Sequence, residues 1–198
     1  MLRRHRPALI TTRPINPAKG FEHLPQSALA LLRWLTDNRV EFVLVGAVAE
    51  ALRGRADSAG PVAIVPAPYR RNLTRLASAL NDAGAAVRLD GVGPGGATDT
   101  TQTKLSAEKL GRGQRWRLRC GPHDIDIEPL VSEPGQASEE QPSYQELLYE
   151  SGRFEPSPGA AVEVAAPEDI EHYAHLRKTG RSPEIRISRQ AKVEQDAT

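Results

Sequence analysis

Between Pro25 and about Asn38 the apolar residues Ala28, Leu31, Leu32 and Leu35 recur at helical spacing, with Trp34 flanking the stripe. This pattern predicts an amphipathic helix. Asp37 and Asn38 break it before Val40, Phe42, Val43, Leu44 and Val45, a β-branched and aromatic run without alternation that predicts a buried strand. Gly46 closes that strand, and Ala47 to about Leu52 reads as the start of a small-residue helix. Arg53 to Gly60 mixes Arg, Asp, Ser and Gly and reads as a loop. Val62 to Val65 is a short apolar strand with Pro61 and Pro66 marking its limits. From Asn72 to Ala83 the residues Leu73, Leu76, Ala77 and Leu80 share one helical face, and Gly84 stands where a C-cap glycine belongs.

The second half of the chain is less regular. Residues 91–96, GVGPGG, and the Thr-rich stretch after them read as a flexible connection. A phosphate-cradling loop is a weaker reading there, because no Lys-Ser/Thr pair follows. RWRLRC at 115–120 alternates basic and apolar residues, a Gly-Pro turn follows, and HDIDIEPL alternates again, which together predict a hairpin. Ser143 is placed to cap a short helix over Tyr144 to Tyr149. AVEVAA at 161–166 predicts a last strand, and Pro167, Glu168 and Asp169 open a helix running through Leu176 to a Thr-Gly stop.

Composition narrows the choice of function. At 198 residues the chain suits one well-filled core, and 26 Lys plus Arg against 25 Asp plus Glu give no global field to draw in nucleic acid or an anionic membrane. Any such binding must come from a local patch, for which Arg112, Arg115, Arg117 and Arg119 are candidates toward RNA. Cys120 is the only cysteine, so no internal disulfide forms, and a reducing, cytoplasmic setting is expected. No apolar stretch approaches the length of a membrane span, so no membrane partner is expected. Residues 1–24 hold five Lys or Arg among the first twenty and no acid there, which predicts a flexible basic arm. The expected organisation is this arm, a single domain over 25–187, and a polar tail over 188–198.

The motifs VGAVAEALRGR and SAGPVAIVP, then HDIDI, SYQELL, Val-Glu-Val, Pro-Glu-Asp-Ile and the Gly180-Arg181 pair, follow one another in a particular order. That order resembles the small nucleotidyltransferases, most closely the minimal and AbiEii-type (type IV toxin-like) groups, over roughly residues 26–184. The resemblance implies an α/β (α+β) fold, a mixed sheet flanked by helices. It also implies magnesium ions held by clustered carboxylates, which activate the nucleophile and stabilise the leaving pyrophosphate. In the family two acids lie two apart on the strand after the glycine turn, on one face because strand side chains alternate. Here those places fall on Pro61 and Ala63, which cannot ligate a metal.

The third acid of the pattern is matched by Asp126, with Asp124 two residues earlier. These two are the candidate catalytic and metal-binding residues. The alternative is that they are solvated on an exposed strand face, or pair with Arg117 and Arg119 across the hairpin. The phosphate-binding turn of the family corresponds to Gly46 and Ala47, which keep backbone amides but lack a Gly-Ser hydroxyl. Arg53, Arg55 and Arg181 are the candidates for neutralising a triphosphate. Where the family carries a lysine, this chain has Ala174 or His175, and Arg177 and Lys178 substitute only if the helix turns them inward. His172 and His175 share one helical face at metal-ligand spacing, without an evident third ligand.

Two functions follow from the resemblance. In the first, the chain is a degenerate, non-catalytic nucleotidyltransferase-like protein that needs no cofactor. It binds a nucleoside triphosphate, an RNA or a cognate protein partner of the toxin–antitoxin or defence kind. In the second, it is an active enzyme transferring a nucleoside monophosphate to RNA or protein, with Asp124, Asp126 and Glu128 gathered around magnesium.

Overall fold

A computed structural model of the protein describes residues 15–16, 24–55, 60–92, 98–129 and 143–179. Among the described residues nine strands form one mixed sheet in the order β1-β8-β9-β2-β3-β7-β6-β4-β5. In chain order these are β1 (Ile15–Asn16), β2 (Phe42–Val45), β3 (Val62–Pro66), β4 (Ala86–Val92), β5 (Thr98–Gln102), β6 (Trp116–Cys120), β7 (His123–Ile127), β8 (Gly152–Ser157) and β9 (Ala160–Val164). The helices are α1 (Gln26–Asp37), α2 (Gly46–Leu52), α3 (Arg70–Asp82), α4 (Ala107–Leu110), α5 (Tyr144–Glu150) and α6 (Pro167–Thr179). The protein is of mixed α and β class, as the sequence pattern predicts.

The β1/β8, β2/β9 and β3/β7 pairs run parallel and the rest antiparallel. Every residue of β2 and β3 is buried. That is why their sequences are continuous apolar runs rather than alternating ones. The stripe of α1 buries Ala28, Leu31, Leu32 and Leu35, and that of α3 buries Leu73, Leu76, Ala77 and Leu80. Ser143 caps α5 in a reciprocal box, accepting from the Glu146 amide at 3.3 Å while its own amide donates to the Glu146 carboxylate at 2.8 Å. Gly84 follows α3 with φ +64°, the left-handed conformation its position calls for.

Two local readings are corrected and three further elements appear. The glycine-rich connection is partly strand: β4 runs through Gly91 and Val92, β5 takes up Thr98–Gln102, and the two pair antiparallel. The threonines are β-branched and suit an extended chain, and their polarity reflects a place at the rim of the sheet, where β5 is the last strand. Pro66 lies inside β3, not beyond it. The pairing with β7 stops at Ile64, so Pro66 has only β2 beside it and its missing N–H is tolerated. Strand β8 carries no clear alternation and was not expected, and Ile15–Asn16 of the basic arm pairs with it in parallel. The one-turn helix α4, also unexpected, is too short for any period to be legible. Residues 1–14 of the arm and the tail over 188–198 lie outside the described residues.

Asn72 ties the fold together at the far end of β2. It is fully buried, and its amide donates to the carbonyls of Glu41 at 2.7 Å and Ala67 at 3.1 Å while its oxygen accepts from the Glu41 amide at 2.8 Å. One side chain thus satisfies three backbone groups of the segments flanking β2 and β3.

Candidate functional site

The hairpin of β6 and β7 carries two different faces. Leu118, Ile125 and Ile127 are fully buried on one. The other is a ladder of charge: Arg119 lies opposite Asp124 and Arg117 opposite Asp126. One step past the strand ends, Arg115 reaches Glu128 at 3.2 Å. Residues directly opposite in an antiparallel pair share a face, so the alternation RxRxR against DxDxE becomes three cross-strand pairs.

Two more arginines come from elsewhere. Arg88, on β4, spans β6 and bonds Asp124 at 3.1 Å through one terminal nitrogen and Asp126 through the other. Arg177, near the end of α6, donates from Nε to Glu128 Oε1 at 2.7 Å. Its guanidinium lies against Gly46: a Cβ built there would be 2.5 and 2.6 Å from its two terminal nitrogens. Gly46 also has φ +74°, so the absence of a side chain at this position serves both the backbone turn and the approach of Arg177.

Strand order places Gly46 and Ala63 beside this cluster. Ala63 is the register partner of Asp126 on one side and of Val45 on the other, and Gly46 follows Val45. Glycine turn, Ala63 and Asp126 therefore lie along one line across the sheet. Ala47 is beside Gly60, whose Cβ would stand 3.3 Å from that of Ala47. Arg53 is held by the scaffold instead, donating to the carbonyls of Ala165 at 2.6 Å and Val164 at 3.0 Å and lying over the Phe154 ring. Burial lowers its pKa, and the charges of Glu168 and Asp169 oppose that shift. Arg55 is exposed and lines a groove of about 560 Å³ with Glu50, Pro167 and Glu171. Gly180 and Arg181 lie outside the described residues. His172 is buried, with its ring edge-on to Tyr173, while His175 is exposed.

The pairing of Asp124 with Arg119 is present, at 2.8 Å. Neither candidate acid is simply solvated: Asp126 is 4% exposed, and the Asp124 side chain, 29% exposed, is held by Arg119 and Arg88. Burial by itself would raise the Asp124 carboxyl, but the hydrogen bonds and charges of Arg119 and Arg88 outweigh it and hold it below the ordinary aspartate value. For Asp126 burial outweighs the attraction of Arg88, Arg115, Arg177 and Arg117, and the carboxyl is raised. Asp126 is therefore expected to take up its proton before Asp124 as pH falls. A carboxyl carbon-13 titration checks the order, and the reverse order would refute it. Asp124 contributes stability at neutral pH that is lost as pH falls through its depressed folded value. Asp126 has the opposite sign, contributing below the unfolded value and losing that contribution as pH rises through the raised one.

Burial, with a smaller push from the Asp124 charge, raises the Cys120 thiol to about 11, so it is a packing residue rather than a nucleophile.

The carboxylate oxygens are largely taken by guanidinium groups. Asp124 uses both on Arg119 and Arg88, Asp126 uses one on Arg88 and has Arg115 3.8 Å from the other, and Glu128 Oε1 serves both Arg115 and Arg177. Among the described residues, Glu128 Oε2 is buried with no hydrogen-bond partner. Carboxylates so engaged by guanidinium groups do not suit magnesium, which requires close to octahedral oxygen coordination. No group of three or more His, Cys, Asp or Glu among the described residues is arranged to hold a metal ion.

Arg88 escaped the reading from sequence, while Arg177, expected to serve only if the helix turned it inward, is turned inward onto Glu128 and Gly46. A signal for Arg177 exists: Ile170, Tyr173 and Arg177 stand at i, i+3 and i+7, one stripe of α6, of which the first two are buried. For Arg88 the signal is the short run Ala86–Leu89, overshadowed by the glycines after it.

No protein-family model matches the chain, and neither does any curated protein sequence. Fold and site together define a mixed-sheet protein with an arginine-rich charged cluster on one face of its central hairpin. No helix among the described residues is long and apolar enough to cross a membrane.

Proposed function

We propose that this protein is a non-catalytic relative of the nucleotidyltransferases that binds a nucleoside triphosphate on the face formed by Gly46, Arg177 and the β6–β7 ladder. The observation that carries the reading is the line Gly46, Ala63, Asp126. The strand neighbour of the one matching acid carries a methyl group, and guanidinium groups fill the spaces between the acids that are present. Phosphoryl transfer in this class depends on metal-held charge at the reacting phosphate, and the donor set here does not fit a magnesium ion. The arginines retain the capacity to bind phosphate, since a guanidinium presents a planar fork of donors to phosphate oxygens.

The test is to incubate the purified protein with labelled nucleoside triphosphates, magnesium or manganese, and tRNA or a protein acceptor. Retained nucleotide without label transfer is expected. Robust transfer that Asp126→Ala abolishes would end the proposal. It would favour the active transferase, whose supporting observation is the row Asp124, Asp126 and Glu128 on one face.

A further inference from the structure

Helices α1, α2 and α3 end in the same way. After α1 the Arg39 amide donates to the Thr36 carbonyl at 2.8 Å and the Val40 amide to the Leu35 carbonyl at 3.0 Å. After α2 the Gly54 amide donates to Ala51 at 2.9 Å and the Arg55 amide to Glu50 at 2.9 Å. After α3 the Gly84 amide donates to Asn81 at 3.0 Å and the Ala85 amide to Leu80 at 2.9 Å. This pair of bonds needs a left-handed residue at the turn, a place that glycine usually takes because a Cβ is strained there. Gly54 and Gly84 follow the rule, with φ +76° and +64°. Arg39, with φ +54°, is the one residue other than glycine among the described residues that holds a positive φ. Glycine would serve the turn at 39 as it does at 54 and 84, so the reason for an arginine lies in its side chain.

Arg39 lines a cleft of about 370 Å³ at the opposite end of β2 from Gly46 and, being exposed, stands at its mouth. The floor is apolar: Val40, Phe42 and Val162 are buried there and Leu148 is half-buried. The charged groups of the walls are engaged with one another. Glu41 holds Arg75 at 3.3 Å, while Glu163 accepts from the Ser151 hydroxyl at 3.0 Å and lies opposite Arg153 in the pairing of β8 with β9. Among the described residues the Arg39 guanidinium takes part in no ion pair or hydrogen bond, and the exposed Asp37 that precedes it at the end of α1 is in no ion pair either.

We infer that this cleft binds a small organic monoanion, a carboxylate carried on an apolar body, and that Arg39 receives the carboxylate. One uncommitted guanidinium matches one carboxylate, which its planar fork grips through two parallel bonds. The apolar floor takes the remainder of such a molecule out of water, and the volume lies at the small end of the range for ligand pockets. A neutral or cationic ligand would leave the guanidinium without an acceptor. The site is separate from the hairpin cluster and does not depend on the nucleotide reading.

The experiment is a titration of the full nitrogen-15-labelled chain with phenylpropanoate and with its uncharged amide, phenylpropanamide, read by backbone amide chemical shifts. Saturable shifts at Val40, Phe42, Leu148 and Val162 are expected from the carboxylate, with the amide binding about tenfold more weakly or worse. Arg39→Gly should weaken the carboxylate by a similar factor while raising the melting temperature by roughly 2–4 °C, because glycine relieves the left-handed turn. The two readouts separate a ligand residue from a merely structural one, which would give a less stable glycine variant with unchanged binding. Equal affinity for acid and amide, shifts confined to other surfaces, no saturable shift at all, or a glycine variant that binds as before overturns the inference. A glycine variant that melts lower also overturns it, since the fold alone would then account for the arginine.

Discussion

Asn72→Ala is expected to lower the unfolding free energy by about 3 kcal/mol, because a buried side chain that satisfies three backbone groups disappears and leaves them without water. The Glu41 carbonyl keeps one partner, the Ala67 amide at 2.9 Å. The Glu41 amide and the Ala67 carbonyl are the groups left exposed to the loss. For a chain of this size that corresponds to a melting temperature lower by about 6–12 °C. Thermal denaturation followed by circular dichroism measures it directly. A change under about 1 kcal/mol, the size of an ordinary exposed hydrogen bond, would mean that the clamp contributes nothing special.

Glu128→Ala carries a comparable effect through charge. Glu128 is 1% exposed and accepts from both Arg177 and Arg115, so its removal leaves two guanidinium groups facing each other at a largely buried position. Removing one partner of a buried pair costs about 3–5 kcal/mol. Arg177 and Arg115 are 20 and 28% exposed and recover some hydration, which sets the expectation near the lower end, about 3 kcal/mol. Arg177→Met in the same background should restore part of it, since the uncompensated charge goes with it. A coupling energy of about 1–3 kcal/mol between the two sites is expected from the double-mutant cycle. Simple additivity would show that the contact between α6 and the end of β7 carries no energy of its own.

The route from sequence to site divides at the same hairpin. RWRLRC and HDIDIEPL alternate cleanly, and alternation is a local property, so the strands, the turn between them and the opposition of arginines to acids were all legible. Asp124 with Arg119 follows from such opposition. The buried runs of β2 and β3 were legible for a related reason: with no polar residue for four or five positions, they fit only a strand covered on both faces. Asp124 and Asp126 were the candidate metal ligands, with solvation or pairing to arginine as the alternative; they are paired, and the cluster is completed by two arginines from distant segments. Arg177 stands 49 residues from Glu128 and Arg88 stands 38 from Asp126. No short-range period connects such positions.

Local patterning by itself determined which segments are helix or strand where the apolar period is strong. It also determined that residues 124, 126 and 128 share a face and that the chain offers no global charge for a partner. Only the tertiary structure decided that Ala63 lies beside Asp126, that Gly46 is covered by Arg177, and that Arg53 is spent on the carbonyls of Val164 and Ala165. The physical reason is that strand order and helix docking are settled by which buried surfaces fit together. Charges ride into place on those surfaces, so their partners are known only once the core has packed.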